Sequence, residues 1–516
     1  MATIPYFVLS PNTIVSALGL LRGPDSTVVT GAEDWRNAKV DVVIPALNEA
    51  RHITLSLASL IRQTLQPRRI VLVDDGSTDG TVQAAEAFCK LHGVELTAIQ
   101  RRAPIGKTPT VKRQARELDS DVQFILDADT VLESPDYLAR AVCELYKGVG
   151  IASVCGTVRP LRRRDRLAWL RQPEVKRFAD ACPGHPLPQD CWKQDILRGV
   201  TNLYRDVLYS FLQRFIYHGQ NVFFGTMTNP VGCAVAYRRK YVEDLFDHFG
   251  PWLGDDLTNS EDIFIGFAML DKGYRNVQLT DVYARTIEPP LHRLPRQVYL
   301  WSSAFLQSCY YFDPLVRSPF KALRRIKWFK NGRREKAEPL RQATPAIAGG
   351  AGVLLSPTVW TRQGKPDADR GHHSSSRNQH AHVERQRDQD TADTNVERRL
   401  VQEPYRQAFG RERTASLGRP VGWMLFTAAL EKVFFPTALI IMLILGNWEA
   451  LAVTLLAETA VCLAVLAWVM RGQRLEYVLK GLLVTPVRYA MLVSDVVTIG
   501  RFAVDIWVRR DRRWRK

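Results

Sequence analysis

The 516-residue chain has eight cysteines but no Cys-x-x-Cys pair and no Cys/His spacing typical of a zinc site. Structural zinc is therefore not expected, and we expect a reduced protein that faces the cytosol. No basic segment followed by a long apolar run stands at the N-terminus, so no cleavable signal peptide is predicted. Nucleic-acid recognition motifs are also missing. The formal net charge of +17 therefore indicates anionic lipid or a phosphorylated substrate rather than nucleic acid.

Large apolar residues are almost absent from residues 364–398, where Arg, Asp, Gln, His and Ser dominate. Such a segment cannot bury enough apolar surface to compensate for the entropy of folding. We therefore predict that residues 330–418 are a disordered insert or linker. Its four histidines (His372, His373, His380 and His382) are interpreted as part of the polar tract and not as metal ligands.

Long apolar runs are present near the C-terminus, at residues 421–445 and 451–470. Each is long enough to cross the hydrocarbon core of a bilayer. Because basic residues flank the pair on one side only, residues 419–474 are predicted to form a transmembrane hairpin with both ends in the cytosol. Glu431, Lys432 and Glu458 interrupt the spans, and such charges normally face a partner or a cavity. In an association of several chains they could line a path.

Residues 479–508 are apolar too, but they include five charged residues that fall on one arc of a helix. This pattern predicts an amphipathic helix, kinked at Pro486, that lies along the membrane interface. The basic tail that follows is predicted to bind anionic lipid. Residues 475–516 are therefore assigned to an interfacial helix with a basic tail.

From Val40 onward, short apolar strands are predicted to alternate with amphipathic helices. This alternation indicates an α/β fold with a mixed, mostly parallel sheet covered on both faces. We assign residues 39–318 to this domain and residues 1–38 to a lead-in without an interpretable pattern. The predicted strands are 40–44, 70–73, 94–99 and 123–126, and the predicted helices are 50–63, 81–92 and 195–217.

Acidic side chains follow three of the predicted strands. Asp127 and Asp129 come directly after an apolar run, and Asn48-Glu49 and Asp74-Asp75 follow two earlier strands. The carboxyl ends of parallel strands meet at one edge of the sheet, where ligands bind. Two neighbouring carboxylates repel each other unless a cation lies between them and a phosphate group. Asp127 and Asp129 are therefore predicted to hold a divalent cation, Mg²⁺ or Mn²⁺.

Five short motifs occur in a fixed order. They are VIPALNE (43–49), VDDGSTDGT (73–81), GK (106–107), DAD (127–129) and NSED (259–262), the last followed by GYR (273–275). This order and spacing, over about residues 38–312, resemble the family 2 inverting glycosyltransferases, and in particular the membrane-bound branch that includes the hyaluronan, chitin and cellulose synthases. The resemblance implies a nucleotide-sugar-binding fold of the glycosyltransferase A type with C-terminal transmembrane helices.

The resemblance also implies roles for donor-binding residues. Asp74 or Asp75 would accept hydrogen bonds from the base and ribose of a UDP-sugar. A P-loop at Gly106-Lys107 is rejected, because Arg101 stands where its upstream Gly would be. Lys107 is still expected to contact the donor phosphates. Pro45, Asn48 and Glu49, together with Asp127, complete the expected donor site, in which the cation held by Asp129 and Asp127 would stabilise the leaving diphosphate.

Inversion needs a base on the acceptor side of the sugar. Asp262, with Glu261 beside it, matches the catalytic Asp of the family and would be this base, and Asp255-Asp256 is a second-ranked pair. Gln297 and Trp301 match a Gln-x-x-Arg-Trp motif of the processive members, but Leu300 replaces its Arg. Arg293 or Arg296 could compensate for that loss.

The acceptor is predicted to be a glycan or a lipid-linked group. Residues 230–239, which resemble a loop leading to Tyr-Arg-Arg beside the acceptor, favour a polysaccharide synthase slightly over transfer of one sugar to a lipid carrier. Trp301 and the aromatic run 310–312 support the same preference, since aromatic faces suit pyranose rings. The replacement at Leu300 keeps open a non-catalytic nucleotide-sugar-binding scaffold. In each case we expect a multi-pass protein of the cell membrane, with its catalytic domain on the cytoplasmic face.

Overall fold

The computed structural model describes residues 10–22, 34–147, 150–188, 192–243, 245, 260–272, 274–317 and 420–509. The predicted insert at 330–418, Asp255-Asp256 and the tail after residue 509 lie outside these residues. Eight strands form one sheet: β1 (Val40–Ala46), β2 (Arg69–Asp74), β3 (Leu96–Gln100), β4 (Val122–Leu126), β5 (Thr130–Leu132), β6 (Ile151–Pro160), β7 (Ala234–Arg238) and β8 (Arg275–Thr286).

The strand order is β3-β2-β1-β4-β7-β6-β8-β5. The strands β3, β2, β1 and β4 are parallel, and β6 pairs in parallel with β8. The strands β7 and β5 run antiparallel to their neighbours. The predicted mixed, mostly parallel sheet is thus confirmed. β1 continues past its predicted end through Pro45, which is tolerated because β4 pairs with β1 only as far as Val43.

Helices cover the sheet and extend beyond it. They are α1 (Pro11–Arg22), α2 (Ile53–Ile61), α3 (Thr81–His92), α4 (Lys107–Glu117), α5 (Tyr137–Tyr146), α6 (Arg163–Leu170), α7 (Pro173–Ala181), α8 (Trp192–Phe211), α9 (His218–Phe224), α10 (Glu261–Lys272), α11 (Leu294–Tyr311), α12 (Asp313–Val316), α13 (Pro420–Ile444), α14 (Trp448–Val469) and α15 (Arg474–Ala503). Short 3₁₀ turns occupy Trp35–Asn37, Leu291–Arg293 and Arg471–Gln473, and π-helical turns occupy Leu212–Tyr217 and Val504–Val508.

The lead-in is more structured than its sequence indicated. Helix α1 packs against α9 at a crossing so close that a Cβ on Gly19 would lie 2.2 Å from the carbonyl oxygen of Gly219. At its other end, the backbone N–H of Asn12 donates to Glu431 in α13 at 2.7 Å. These contacts join α1 to the α/β domain and to the first long apolar helix.

Three helical segments, Val421–Ile444, Trp448–Val469 and Arg471–Val508, are long and apolar enough to cross a membrane. The last of them includes α15, whose polar arc we expected to face water. That expectation is wrong: Arg488, Asp495 and Thr498 are buried against the protein, while apolar side chains such as Leu483 and Val493 are exposed. The arc is buried because charged residues on the neighbouring helices pair with it. The sequence pattern of α15 alone does not reveal these partners.

The charges within the apolar helices have partners in the same chain. Lys432 of α13 pairs with Asp495 of α15 at 2.9 Å, and Glu458 of α14 pairs with Arg488 of α15 at 3.2 Å. Both pairs are almost fully buried. The hypothesis that these charges need several associated chains is therefore not required.

Candidate functional site

The loops that follow β1 and β2 meet at the carboxyl edge of the sheet, as the strand order demands. The backbone N–H of Asn48 donates to Ser77 Oγ at 2.8 Å, and that of Glu49 donates to Thr81 Oγ1 at 2.9 Å. Asn48 has a φ of 58°, a left-handed conformation that Asn tolerates better than most residues, and its side chain accepts from the N–H of Thr78. The first two motifs thus form one hydrogen-bonded rim. Pro45 is the second-last residue of β1, the strand that leads into this rim.

Asp74 and Asp75 hold two turns at this rim. Asp74 accepts from the backbone N–H of Ser77 at 3.1 Å, which closes the turn that Gly76 permits with its φ of 89°. Asp75 accepts from the N–H of Gly106 at 2.8 Å and pairs with Arg101 at 2.9 Å. Both carboxylates thus fix the walls of the predicted nucleoside site, and their contact with a base or ribose stays a prediction.

Lys107 stands between the two acidic motifs. Its Nζ lies 2.7 Å from Asp127 Oδ1 and 2.8 Å from Glu261 Oε1, and it donates to the carbonyl of Gly232 at 3.0 Å. Burial would lower the pKa of this ammonium, but the carboxylates of Asp127 and Glu261 outweigh it and raise its pKa well above the ordinary value. Lys107 therefore stays charged and joins the DAD segment to the start of α10, a contact that its sequence position does not reveal.

Asp129 lies in an environment rich in negative charge. Burial raises the pKa of its carboxyl well above the ordinary value. The carboxylates of Glu49, Asp127 and Glu288 add to that rise. The side-chain hydrogen bonds that it accepts are long ones, from the hydroxyls of Thr130 at 3.3 Å and Thr286 at 3.4 Å. The site is thus short of positive charge at Asp129.

These residues suit a divalent cation by their chemistry. Mg²⁺ and Mn²⁺ prefer carboxylate oxygens, and a cation would relieve the repulsion that raises the pKa of Asp129. Among the residues that the structure describes, however, no group of three or more His, Cys, Asp or Glu side chains is arranged to hold a metal ion. Asp127 instead pairs with Lys107.

Asp262 lies in the first turn of helix α10, beside this cluster. Its Oδ1 accepts from the N–H of Ile263 at 2.9 Å, and its Oδ2 accepts from the N–H of Gly232 at 3.1 Å. A Cβ on Gly232 would lie 2.8 Å from the Cβ of Asp262, so only glycine permits this approach. The loop before β7 therefore orients Asp262, and the same Gly232 accepts from Lys107.

Gln297 and Trp301 face helix α8, where Arg205 supplies a guanidinium that sequence reasoning missed. Arg205 Nη2 donates to Gln297 Oε1 at 2.5 Å, and its Cζ lies 4.4 Å from the ring centroid of Trp301. Arg293 and Arg296, which we considered as substitutes for the missing Arg, are exposed. No motif surrounds Arg205, so its position on an amphipathic helix was the only available signal.

Two parts of the predicted acceptor site lie elsewhere. In β7, Ala234 pairs with Leu126 at the site, whereas Arg238 pairs with Val122 at the opposite end of β4. The predicted position of Tyr237, Arg238 and Arg239 beside the acceptor is therefore wrong, because β7 runs away from the site. Phe312 is also buried, packed against Phe264 and Phe267, so it offers no face to a sugar.

A protein-family model matches the central part of the chain. The model described as Glycosyl transferase family 2 matches residues 41–246. Asp262, Gln297 and Trp301 lie beyond the matched residues. The chain is 31% identical over 137 residues to an undecaprenyl-phosphate 4-deoxy-4-formamido-L-arabinose transferase from Serratia proteamaculans, which covers 26% of this chain and 40% of the relative.

The transferase of the same description from Proteus mirabilis is 30% identical over 142 residues, which are 27% of this chain and 41% of that relative. The matches thus span about two fifths of the length of these relatives. Among solved structures, a mannosyltransferase from Pyrobaculum calidifontis in complex with GDP-Man and Mn²⁺ is similar with 16% identity and a TM-score of 0.46, covering 96% of this chain and 94% of that one. Glucosyl-3-phosphoglycerate synthase from Mycobacterium tuberculosis, in complex with Mg²⁺ and UDP, has 19% identity and a TM-score of 0.32, with 53% and 80% covered.

Proposed function

We propose, from the match of residues 41–246 to the family 2 glycosyltransferases, that the protein transfers a sugar, with inversion, from a nucleotide-sugar to a lipid-linked acceptor in a membrane. We propose a UDP-sugar as the donor. The single observation that carries the proposal is the contact of Lys107 with both Asp127 and Glu261. Through this contact, the acids suited to binding a donor diphosphate lie in one site with Asp262, the acid suited to deprotonating an acceptor.

Each residue then has a distinct task. The rim formed by Asn48, Asp74 and Asp75 would enclose the nucleoside, and Lys107 would supply positive charge near the diphosphate. A divalent cation, when bound at Asp129 and Asp127, would neutralise charge on the leaving group. Asp262 would take the proton from the attacking oxygen of the acceptor, a hydroxyl or a protonated phosphate, using the lone pairs that its two backbone hydrogen bonds leave available.

A lipid-linked acceptor is favoured by the surroundings of the site. Helices α8 and α11, which carry Arg205 and Trp301, pack against α15, one of the long apolar helices. One face of Trp301 is covered by Arg205 and Phe312 is buried, which weakens the case for a stack of sugar rings. The names of the curated relatives point the same way, since those proteins act on undecaprenyl phosphate. We therefore prefer transfer of one sugar to a lipid carrier over polysaccharide synthesis.

For the same reasons we propose that the chain is a membrane protein with its catalytic domain on the cytoplasmic face. Helices α13 and α14 would cross the bilayer. Lys480 and Arg501, near the two ends of α15, contact Asp206 of α8 and Tyr299 of α11. A helix lying along the interface beneath the catalytic domain would make both contacts, with its apolar side toward lipid.

The direct test is transfer of radiolabelled sugar by the full-length protein in lipid nanodiscs. Labelled UDP-sugars would be supplied with a polyprenyl phosphate, with and without EDTA, and the products would be sized. We expect one labelled sugar per lipid, and little transfer after chelation. A ladder of long chains would instead support a polysaccharide synthase. Nucleotide-sugar binding without transfer to any tested acceptor would support a non-catalytic scaffold.

A further inference from the structure

Arg205 lies in the wall between the acidic site and the apolar helices. Its side chain is completely buried in the middle of α8. The neighbouring residue Tyr204 is close enough to Arg488 and Asp495 of α15 to be influenced by their charges. Arg205 therefore stands where a substrate that enters from the membrane would meet the catalytic domain.

Three groups hold the guanidinium of Arg205. Its Nε lies 3.3 Å from Glu288 Oε2, its Nη2 donates to Gln297, and its plane lies near the ring of Trp301. Glu288 is itself held by the hydroxyl of Tyr209 at 2.7 Å. Because Glu288 also raises the pKa of Asp129, this group of residues borders the cation-deficient part of the site.

Two nitrogens of the guanidinium lack a hydrogen bond. Nε and Nη1 of Arg205 are buried and have no hydrogen-bond partner among the residues that the structure describes, although Nε lies within ion-pair distance of Glu288. A buried N–H without an acceptor costs free energy. If Arg205 served only to pair with Glu288, nothing would compensate for that cost at Nη1. The planar fork of arginine matches phosphate oxygens.

We propose that Arg205 binds a phosphate oxygen of the substrate and thereby supplies the guanidinium that is missing at Leu300. This inference rests on the proposed function, in which both substrates bear phosphate. Gln297 and Trp301 orient the guanidinium from α11, while the positive charge itself comes from α8. The phosphate belongs either to the nucleoside diphosphate of the donor or to the lipid acceptor, and an experiment distinguishes the two.

The experiment uses the full-length protein in nanodiscs. Affinities for UDP with Mn²⁺ and for a polyprenyl phosphate are measured for the wild type, Arg205→Lys and Arg205→Gln. Arg205→Lys keeps the charge beside Glu288 and so protects the fold, but it removes the fork. Loss of one charge-assisted hydrogen bond weakens binding by about 10- to 100-fold. Arg214→Gln is the control, since Arg214 is a partly buried arginine of the π-helical turn that follows α8 and it contacts Tyr283.

A weaker affinity for UDP alone assigns Arg205 to the donor diphosphate, and a weaker affinity for the polyprenyl phosphate alone assigns it to the acceptor. If Arg205→Lys melts like the wild type and binds both probes as tightly, the inference is overturned while the proposed function stands. If the wild type binds neither probe, the proposed function fails and the inference fails with it.

Discussion

At the residue scale, the carboxylate of Asp262 is held by the backbone in a way that suits its proposed role as a base. Its two oxygens accept backbone hydrogen bonds from Ile263 and Gly232, so the side chain is held in one orientation. Each oxygen retains a second lone pair. An oriented carboxylate with free lone pairs is what a general base requires.

Replacing Asp262 by Asn should therefore abolish proton removal while leaving the donor site intact. With a hydroxyl acceptor, we expect turnover to fall by at least ~10²-fold with little change in UDP affinity. A phosphate acceptor has a second pKa of about 6, so the loss should be greater below that pH than above it. Steady-state rates of transfer across pH measure this effect.

Asp281→Asn is the matched control, because Asp281 is an exposed acid on β8 that pairs only at the surface with Arg140. It should leave turnover unchanged. Equal transfer rates for Asp262→Asn and wild type with every acceptor would mean that Asp262 is not the base.

The raised pKa of Asp129 makes a prediction about stability. In the folded protein the raised pKa favours the protonated carboxyl of Asp129. This carboxyl therefore stabilises the fold fully below the ordinary Asp pKa of 3.8. The stabilisation is lost as pH rises through the raised pKa. At neutral pH, metal-free Asp129→Asn should consequently melt at a higher temperature than the wild type.

Mn²⁺ should raise the melting temperature of the wild type but not that of Asp129→Asn, because the variant lacks the ionised ligand. Thermal unfolding with and without Mn²⁺ at neutral pH gives both comparisons. A lower melting temperature for metal-free Asp129→Asn would contradict the crowding of negative charge at this residue.

At the scale of elements, the loop before β7 and the first turn of α10 form one unit. Gly232 approaches Asp262 so closely that an added Cβ would lie 2.8 Å from its Cβ and 3.0 Å from its Oδ2. Gly266, one helical turn further on, likewise leaves room for Asn229 of the same loop. The two glycines allow the loop to lie directly on the helix.

Gly232→Ala should push Asp262 out of position. A displacement on the order of 1 Å at a catalytic group costs about 10²-fold in rate, so we expect such a loss in turnover with the fold retained. Circular dichroism and the transfer assay would be compared with those of Gly199→Ala. Gly199 lies in α8 with nothing within 4 Å of an added Cβ, and alanine there should stabilise the helix by about 0.5–1 kcal/mol. Full activity of Gly232→Ala would mean that Asp262 tolerates movement.

At the scale of the whole molecule, buried ion pairs join the long apolar helices to one another. The pair Lys432–Asp495 links α13 to α15, and Arg488–Glu458 links α15 to α14. Asp206 of α8 pairs with Lys480 of α15 and with Arg162, the residue before α6. The catalytic domain and the apolar helices are thus connected through charges that α15 turns inward.

Removing one member of such a pair leaves the other charge buried alone. Lys432→Met should reduce the free energy of unfolding by about 3–5 kcal/mol. The double variant Lys432→Met with Asp495→Leu should recover most of that loss, because no isolated charge remains. Denaturation in detergent micelles measures the cycle. Arg509→Met, at an exposed pair with Asp505, should change stability by less than about 1 kcal/mol, and a similarly small effect at Lys432 would mean that water reaches the pair.

Features that depend on neighbours in the chain were predictable from the sequence. Helix α3 begins and ends as predicted, and the polar residues at 48–49, 74–75 and 127–129 lie at the carboxyl ends of β1, β2 and β4 as expected. These features were predictable because apolar periodicity and turn residues act over a few positions. The family resemblance placed Asp262 in the same site, since the order of motifs carries information that local patterns do not.

Which distant charges contact each other depends on the three-dimensional fold and was not predictable from the sequence. Lys107 pairs with Asp127 and Glu261, Arg205 reaches Trp301, and the polar arc of α15 faces Lys432 and Glu458 instead of water. Arg238 lies far from the site because β7 runs antiparallel to β4. Each of these contacts depends on strand order, strand direction or helix packing. The partner of a side chain on a distant element is set by burial and charge in three dimensions, and a local sequence pattern carries no information about either.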